Sequence, residues 1–378
     1  MHMPGIGKLP LWEIFTRALR SRQSRRTASL LLCTLAMSCA STPPTDVAED
    51  HIEAMLLQGR LTDDRAAFYA GFCGKLAGSK DAKFSGRACT DFIYAPRSTT
   101  ATPAIRSQAD AVPADTVLVF VTGIFGECVK DIATPFADAY PELLKQGYKA
   151  TLNAPVDGRS NSTVNAGIID SYLTKNTTVT DRIILIGYSK GATDAMTALV
   201  DFKASPWVRR VVAFVSVSGV VGGTPVADAA KPLYDTFFES IPLPGCKPEA
   251  KGALDSLTMT ARQSWLEKNK LPQGIAYFSL TAVAQAGHTN PLLVPFRDYM
   301  SQWDPLNDGQ VPVTDAVLPD AHFLGTVKAD HWAVALPFQG HPGLESKILG
   351  VDNDFPRPEL IEAILQQVET DLEKTDGH

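Results

Sequence analysis

Apolar and polar positions recur along this chain with two periods. Residues 116–121 read TVLVFV, an uninterrupted apolar run of the kind carried by a strand buried on both faces. Residues 182–186 form another apolar run, and 148–153, 208–217 (VRRVVAFVSV), 275–283 and 323–327 give further strand candidates. Helical patterns fall between them over 135–147, which stops at a glycine, and over 163–175 and 192–202. A last helix is expected over 358–372, where Leu360, Ile361, Ile364, Leu365, Val368 and Leu372 form one stripe. Upstream, 48–95 reads as mostly helical, ending in a short strand at 90–94, and the polar stretch 98–113, with its prolines, reads as a loop.

Strands alternating with helices predict an α/β architecture, a mostly parallel sheet with helices on both faces. In such sheets ligands and chemistry gather outside the carboxyl ends of the strands. The loops after Val121, Ile186 and Val283 are therefore where a site is expected. A long excursion, 222–272, separates two strands and fits a helical cap. Its Leu233, Tyr234, Phe237, Phe238, Ile241 and Leu243 could roof an apolar pocket or simply pack the cap onto the body.

Composition narrows the function classes. The chain has 378 residues, 45% hydrophobic and 20% charged, enough apolar material for a real core. A net charge of −6 argues against a nucleic-acid partner, which calls for a basic face. There is no P-loop, no dinucleotide-binding glycine fingerprint and no Cys/His spacing of a zinc site, so neither cofactor nor metal is expected.

The N-terminus stands apart. Lys8, Arg17, Arg20, Arg22, Arg25 and Arg26 face a single acidic residue, Glu13, and residues 27–37 then form an uncharged apolar run. That run is shorter than the roughly 20 residues a membrane-crossing helix needs. Small residues follow (Ser38, Cys39, Ala40), which completes the layout of a secretory signal. The segment Leu35-Ala36-Met37-Ser38-Cys39 resembles a bacterial lipoprotein processing site, which implies a lipidated Cys39 and association with the outer membrane. Ordinary cleavage after Ser38 or Ala40 is the alternative. Either route exports the protein, to the periplasm, the outer membrane or the medium, and there disulfides are permitted. Proximity in sequence favours Cys73–Cys89 and Cys128–Cys246.

Gly187-Tyr188-Ser189-Lys190-Gly191 fits G-x-S-x-G, with a buried strand before it and a helix after it. The turn from strand to helix strains the serine backbone, and glycines on either side keep Cβ atoms out of the crowded bend. The hydroxyl then projects at a helix N-terminus, where developing negative charge is favoured. On this motif and its context the chain resembles an α/β-hydrolase of the bacterial lipase and esterase branch, from about residue 116 to the C-terminus. The resemblance implies an α/β-hydrolase fold with a helical cap insertion. The expected organisation is a signal peptide (1–38), a tether and N-terminal helical extension (39–114) and a catalytic domain (115–378) with its cap at 222–272.

The family implies an oxyanion hole built from two backbone N–H groups. One belongs to the residue after the nucleophile, Lys190. The other lies in the loop Thr122-Gly123-Ile124-Phe125-Gly126, where Thr122 replaces the commoner histidine and Ile124 is the expected donor. The Lys190 side chain itself is expected in solvent.

Chain order in the family is Ser, then acid, then His. His288, His322, His331 and His341 follow the nucleophile. His331 is favoured, in a loop after the strand-like 323–327 and within Asp330-His331-Trp332, with His288 and His341 as alternatives. The expected acid is Asp308 in Asn307-Asp308-Gly309, which requires an inserted loop over 285–303; Asp228 is the runner-up. A Cys128 nucleophile is disfavoured because it has no strand-to-helix elbow. The expected function is hydrolysis of carboxylic esters through Ser189, His331 and Asp308. Thioester, acyl-transfer or peptide chemistry with the same residues is the nearest alternative, and a non-catalytic lipid-binding envelope protein is the alternative of another class.

Overall fold

The computed structural model describes residues 46–96, 112–124, 126, 134–233, 251–338 and 354–376. The expected signal segment, Cys39, the Cys128–Cys246 pair, His341 and the cap residues Tyr234, Phe237, Phe238, Ile241 and Leu243 lie outside these residues.

Helix α1 (Asp46–Leu57) leads into the two-residue strand β1 (Thr62–Asp63) and helix α2 (Arg65–Ala77). Next come β2 (Thr116–Val121), α3 (Tyr140–Lys145), β3 (Ala150–Asn153), α4 (Ser162–Asn176), β4 (Arg182–Tyr188), α5 (Lys190–Asp201) and β5 (Val211–Val217). The remainder comprises α6 (Pro225–Leu233), α7 (Met259–Lys268), β6 (Ala276–Ala282), α8 (Val294–Met300), β7 (His322–Val327) and α9 (Arg357–Asp376).

The seven strands form one sheet in the order β1-β7-β6-β5-β4-β2-β3, and all pairings are parallel. Its central strands are predominantly apolar because both faces are covered. Leu118 and Phe120 of β2, with Ile184 and Ile186 of β4, join Phe68, Phe72, Leu360 and Ile364 on one face. Val117, Val119 and Val121, with Ile183 and Leu185, join Ile169, Met196 and Trp207 on the other. The register brings the carboxyl ends level: Val121 pairs with Gly187, and Tyr188 with Val217. The loops that leave this edge therefore start side by side.

The N-terminal extension is built into this body. Phe68, Phe72 and Leu76 of α2 belong to one core cluster, and Ile52, Met55 and Leu61 to the other. The expected Cys73–Cys89 disulfide is present. Asp64 bonds the ring of His322 at 2.7 Å, fastening the start of α2 to the first residue of β7.

Several boundaries differ from expectation. In place of a strand at 90–94 there is a 3-10 turn, Cys89–Asp91, and a single antiparallel bridge between Ile93 and Val327. β1 already occupies the start of that edge of β7, so only its end is left to pair. The segment 135–139 is a turn, because Phe136, at φ 56°, is buried with its N–H on the carbonyl of Ala335. The strand expected from 208 starts at Val211 after a 3-10 turn, Val208–Arg210, set by the buried Trp207, whose indole donates to Asp170.

Candidate active site

Ser189 occupies the one-residue junction between β4 and α5, at φ 56° and ψ −130°. A non-glycine residue there is strained, and the surroundings hold it. Its carbonyl accepts the N–H groups of Ala192 and Val220, and its own N–H donates to Val217. Both flanking glycines are required. A Cβ on Gly191 would stand 2.0 Å from the carbonyl oxygen of Val121, and one on Gly187 would stand 2.5 Å from Cα of Ala192.

The hydroxyl of Ser189 lies 2.8 Å from Nε2 of His331, and Nδ1 of the same ring lies 2.7 Å from Oδ2 of Asp308. Serine, histidine and acid are all at least nine-tenths buried. The second carboxylate oxygen of Asp308 accepts the N–H groups of Gln310 and Val311, both at 2.8 Å, so the carboxyl cannot turn away from the ring. The backbone N–H of His331 also donates to the carbonyl of Asp308, joining the two loops directly. The insertion needed to deliver Asp308 is real and contains α8. It is tied to the histidine loop by Asp330, whose Oδ2 accepts the N–H of Asn290 at 2.7 Å. Burial pushes the Asp330 carboxyl up; backbone N–H groups of Ala333, Asn290 and Trp332 oppose this, and the charge of Asp308 adds to it.

The other candidates fall elsewhere. Asp228 is exposed and accepts the N–H of Met259 at the start of α7. His288 is exposed, and His322 is engaged with Asp64 at the opposite end of its strand from the histidine loop. Gly123 lies against the nucleophile: a Cβ there would be 2.8 Å from Cβ of Ser189 and 3.1 Å from its Oγ. Ile124 follows directly and is half-buried, packed against the small cluster of Val220, Leu254 and Val311.

Two participants were not legible as such in the sequence. Tyr188 donates its phenol to the carbonyl of His331 at 2.6 Å; burial pushes its ionisation far upward, so it stays a donor. The Lys190 side chain, expected in solvent, is completely buried, because Asp194 offers it a carboxylate one helical turn away. The opposite charges at i and i+4 are the sequence signal for that pair, but surface pairs have the same spacing.

No family model matches the sequence, and neither does any curated protein. Solved structures do. The metagenomic carboxyl esterase MGS0156 is 35% identical over 83% of this chain and 94% of that one, with a TM-score of 0.75. The lipase BlEst2 of Bacillus licheniformis, in its propeptide form, is 22% identical over 63% of this chain and 51% of that one, with a TM-score of 0.50, a likeness of fold.

Proposed function

The chain belongs to the α/β-hydrolases, in their bacterial esterase and lipase branch, and on that premise we propose that it hydrolyses carboxylic esters with Ser189 as nucleophile, His331 as base and Asp308 as orienting acid. The observation that carries the reading is the continuous contact Oγ–Nε2 at 2.8 Å and Nδ1–Oδ2 at 2.7 Å, on a serine held in a strained elbow.

In this reading Oγ of Ser189 attacks the acyl carbon while its proton passes to Nε2 of His331. The carbonyl oxygen becomes negative and accepts hydrogen bonds from the backbone N–H groups of Ile124 and Lys190, each worth about 10²–10³ in rate where such donors have been removed. The bond to the leaving alkoxide breaks as His331 returns the proton to it. Water then repeats the sequence and releases the acid and free Ser189. Asp308 fixes the tautomer that leaves Nε2 free to accept, and stabilises the ring when it becomes cationic.

The wider setting belongs to the same proposal. The protein is exported by its N-terminal signal, Cys39 carries lipid at the outer membrane, and the substrate is an acyl ester. Mass spectrometry of the mature N-terminus tests the anchor; a start at a residue other than Cys39 removes it. The activity is tested with a fluorophosphonate probe and a series of short- and long-chain p-nitrophenyl esters. Labelling and turnover should both vanish in Ser189→Ala. Turnover that survives in that variant, or folded parent protein that neither labels nor turns over, would overturn the reading.

A further inference from the structure

Lys190 is the first residue of α5, and the geometry of its side chain is costly on its face. A cation at a helix N-terminus opposes the local dipole, and a lysine placed before its acid at i, i+4 is the weaker of the two orders. Both members of the pair are also removed from water, Lys190 at 0% and Asp194 at 1% exposure. Taking two charges out of water costs enough that an apolar pair of the same volume is often as stable or more so. Stability alone therefore gives little reason for an ion pair at this place.

What the pair does do is immobilise the residue whose backbone N–H faces the substrate oxygen in the reading above. Nζ of Lys190 reaches both carboxylate oxygens of Asp194, at 2.8 and 2.7 Å. Asp194 is itself held from α4: Ser162 Oγ donates to Oδ1 at 2.6 Å, and Asn165 Nδ2 donates to Oδ2 at 2.7 Å. Asn165 in turn exchanges two hydrogen bonds with the backbone of Asp157, accepting its N–H and donating to its carbonyl, both at 3.0 Å. The chain of bonds thus runs from the loop after β3, through the first turn of α4, to the first turn of α5.

We propose that Lys190 and Asp194, braced by Ser162 and Asn165, are positioning residues for the oxyanion donor: the buried ion pair holds the Lys190 peptide aimed at the oxygen that becomes negative. A donor of this kind accelerates reaction by being set before charge develops, so loosening it lowers kcat and leaves ground-state binding alone. The inference rests on the ester-hydrolase reading, and the experiment keeps the two apart.

The test compares the parent with Lys190→Met/Asp194→Asn, which removes both charges, nearly keeps the volumes, and leaves the amide oxygen to accept from Asn165 while the amide nitrogen donates to the Ser162 hydroxyl. Kinetics on a short-chain p-nitrophenyl ester are read beside the thermal midpoint. We expect kcat to fall about 10- to 100-fold, up to the loss of a whole donor, with KM within twofold and the thermal midpoint equal to the parent's or above it. Ser162→Ala, which removes one brace and leaves the ion pair, should lower kcat a few-fold at constant KM, and it carries the test if the double variant does not fold. Unchanged kcat in either folded variant overturns the proposal, as does a loss of kcat that only tracks a loss of folded protein. A parent without turnover overturns the ester-hydrolase reading first, and the positioning role falls with it.

Discussion

The phenol of Tyr188 is bonded to the main-chain carbonyl of His331, 2.6 Å away. The residue before the nucleophile thus grips the peptide that carries the imidazole, and the two rings lie 5.2 Å apart. Strand β4 and the histidine loop are locked together at the point where Oγ and Nε2 must meet. Tyr188→Phe keeps the ring and leaves a buried carbonyl unpaired, at a cost of about 1–3 kcal/mol. The expected result is a lower thermal midpoint and a several-fold lower kcat. Unaltered stability in denaturant titration would show that the bond contributes nothing net.

The three side chains at the centre should behave as one unit. Asp308→Asn preserves shape but favours the wrong imidazole tautomer, and kcat is expected to fall about 10⁴-fold. Adding Ser189→Ala to it should cost little beyond Ser189→Ala alone, because neither acts without the other. Multiplicative losses in the double variant would contradict a shared role.

Gly123→Ala tests the approach of the oxyanion loop. The added Cβ would stand 2.8 Å from Cβ of Ser189, closer than real Cβ atoms come, and 3.1 Å from its Oγ, tighter than most. The loop must shift, and the expected phenotype is folded protein with a strongly reduced rate of fluorophosphonate labelling. Labelling at the parental rate would mean that the loop relaxes without consequence.

The Cys73–Cys89 disulfide closes a loop of sequence separation 16. Restriction of the unfolded chain by a loop of that size is worth about 3 kcal/mol in the chain-entropy account. Cys73→Ser/Cys89→Ser should therefore unfold at lower denaturant concentration. At temperatures where it stays folded, its kcat should equal the parent's, since the bridge lies in the N-terminal extension. A lower kcat in the folded variant would tie the extension to catalysis.

Asp315 predicts a dependence on pH. Burial, followed by the charge of Asp304, pushes its carboxyl up from 3.8 to about 6. The folded state then binds the proton more tightly than the unfolded one, so this group's contribution falls as pH rises from about 4 to 6 and is level above that. Asp315→Asn should stabilise the protein at pH 7–8, by at most about 3 kcal/mol at 1.36 kcal/mol per pKa unit, and give no gain near pH 4. Equal effects of the substitution at both pH values would show that the carboxyl is not shifted.

Much of this was legible in one dimension because the physics involved is local. A strand covered on both faces is mostly apolar, so 116–121 and 182–186 announced a parallel sheet. A serine forced through a strand-to-helix bend must have glycines beside it, so Gly187 and Gly191 marked Ser189. Chain order left Asp228, His288 and His341 open beside Asp308 and His331, and resemblance of the Asn-Asp-Gly and Asp-His-Trp segments to the family favoured the latter two, the pair that the structure brings to Ser189. The strand ends were less legible: Phe136 and Trp207 fix turns through contacts with distant segments, and no local pattern records those contacts.

By itself, then, the sequence determined the central strands and which serine sits at the bend, since periodicity and steric demand act between near neighbours; the two-residue β1 and the 3-10 turn in place of a strand at 90–94 were set by pairing with β7. Tertiary structure alone decided the fate of Lys190. Spacing paired it with Asp194, but whether that pair stands in water or under the nucleophile depends on α4 arriving with Ser162 and Asn165 to meet it. Solvation is set by what packs from elsewhere in the chain, and an amino-acid string carries no direct record of it.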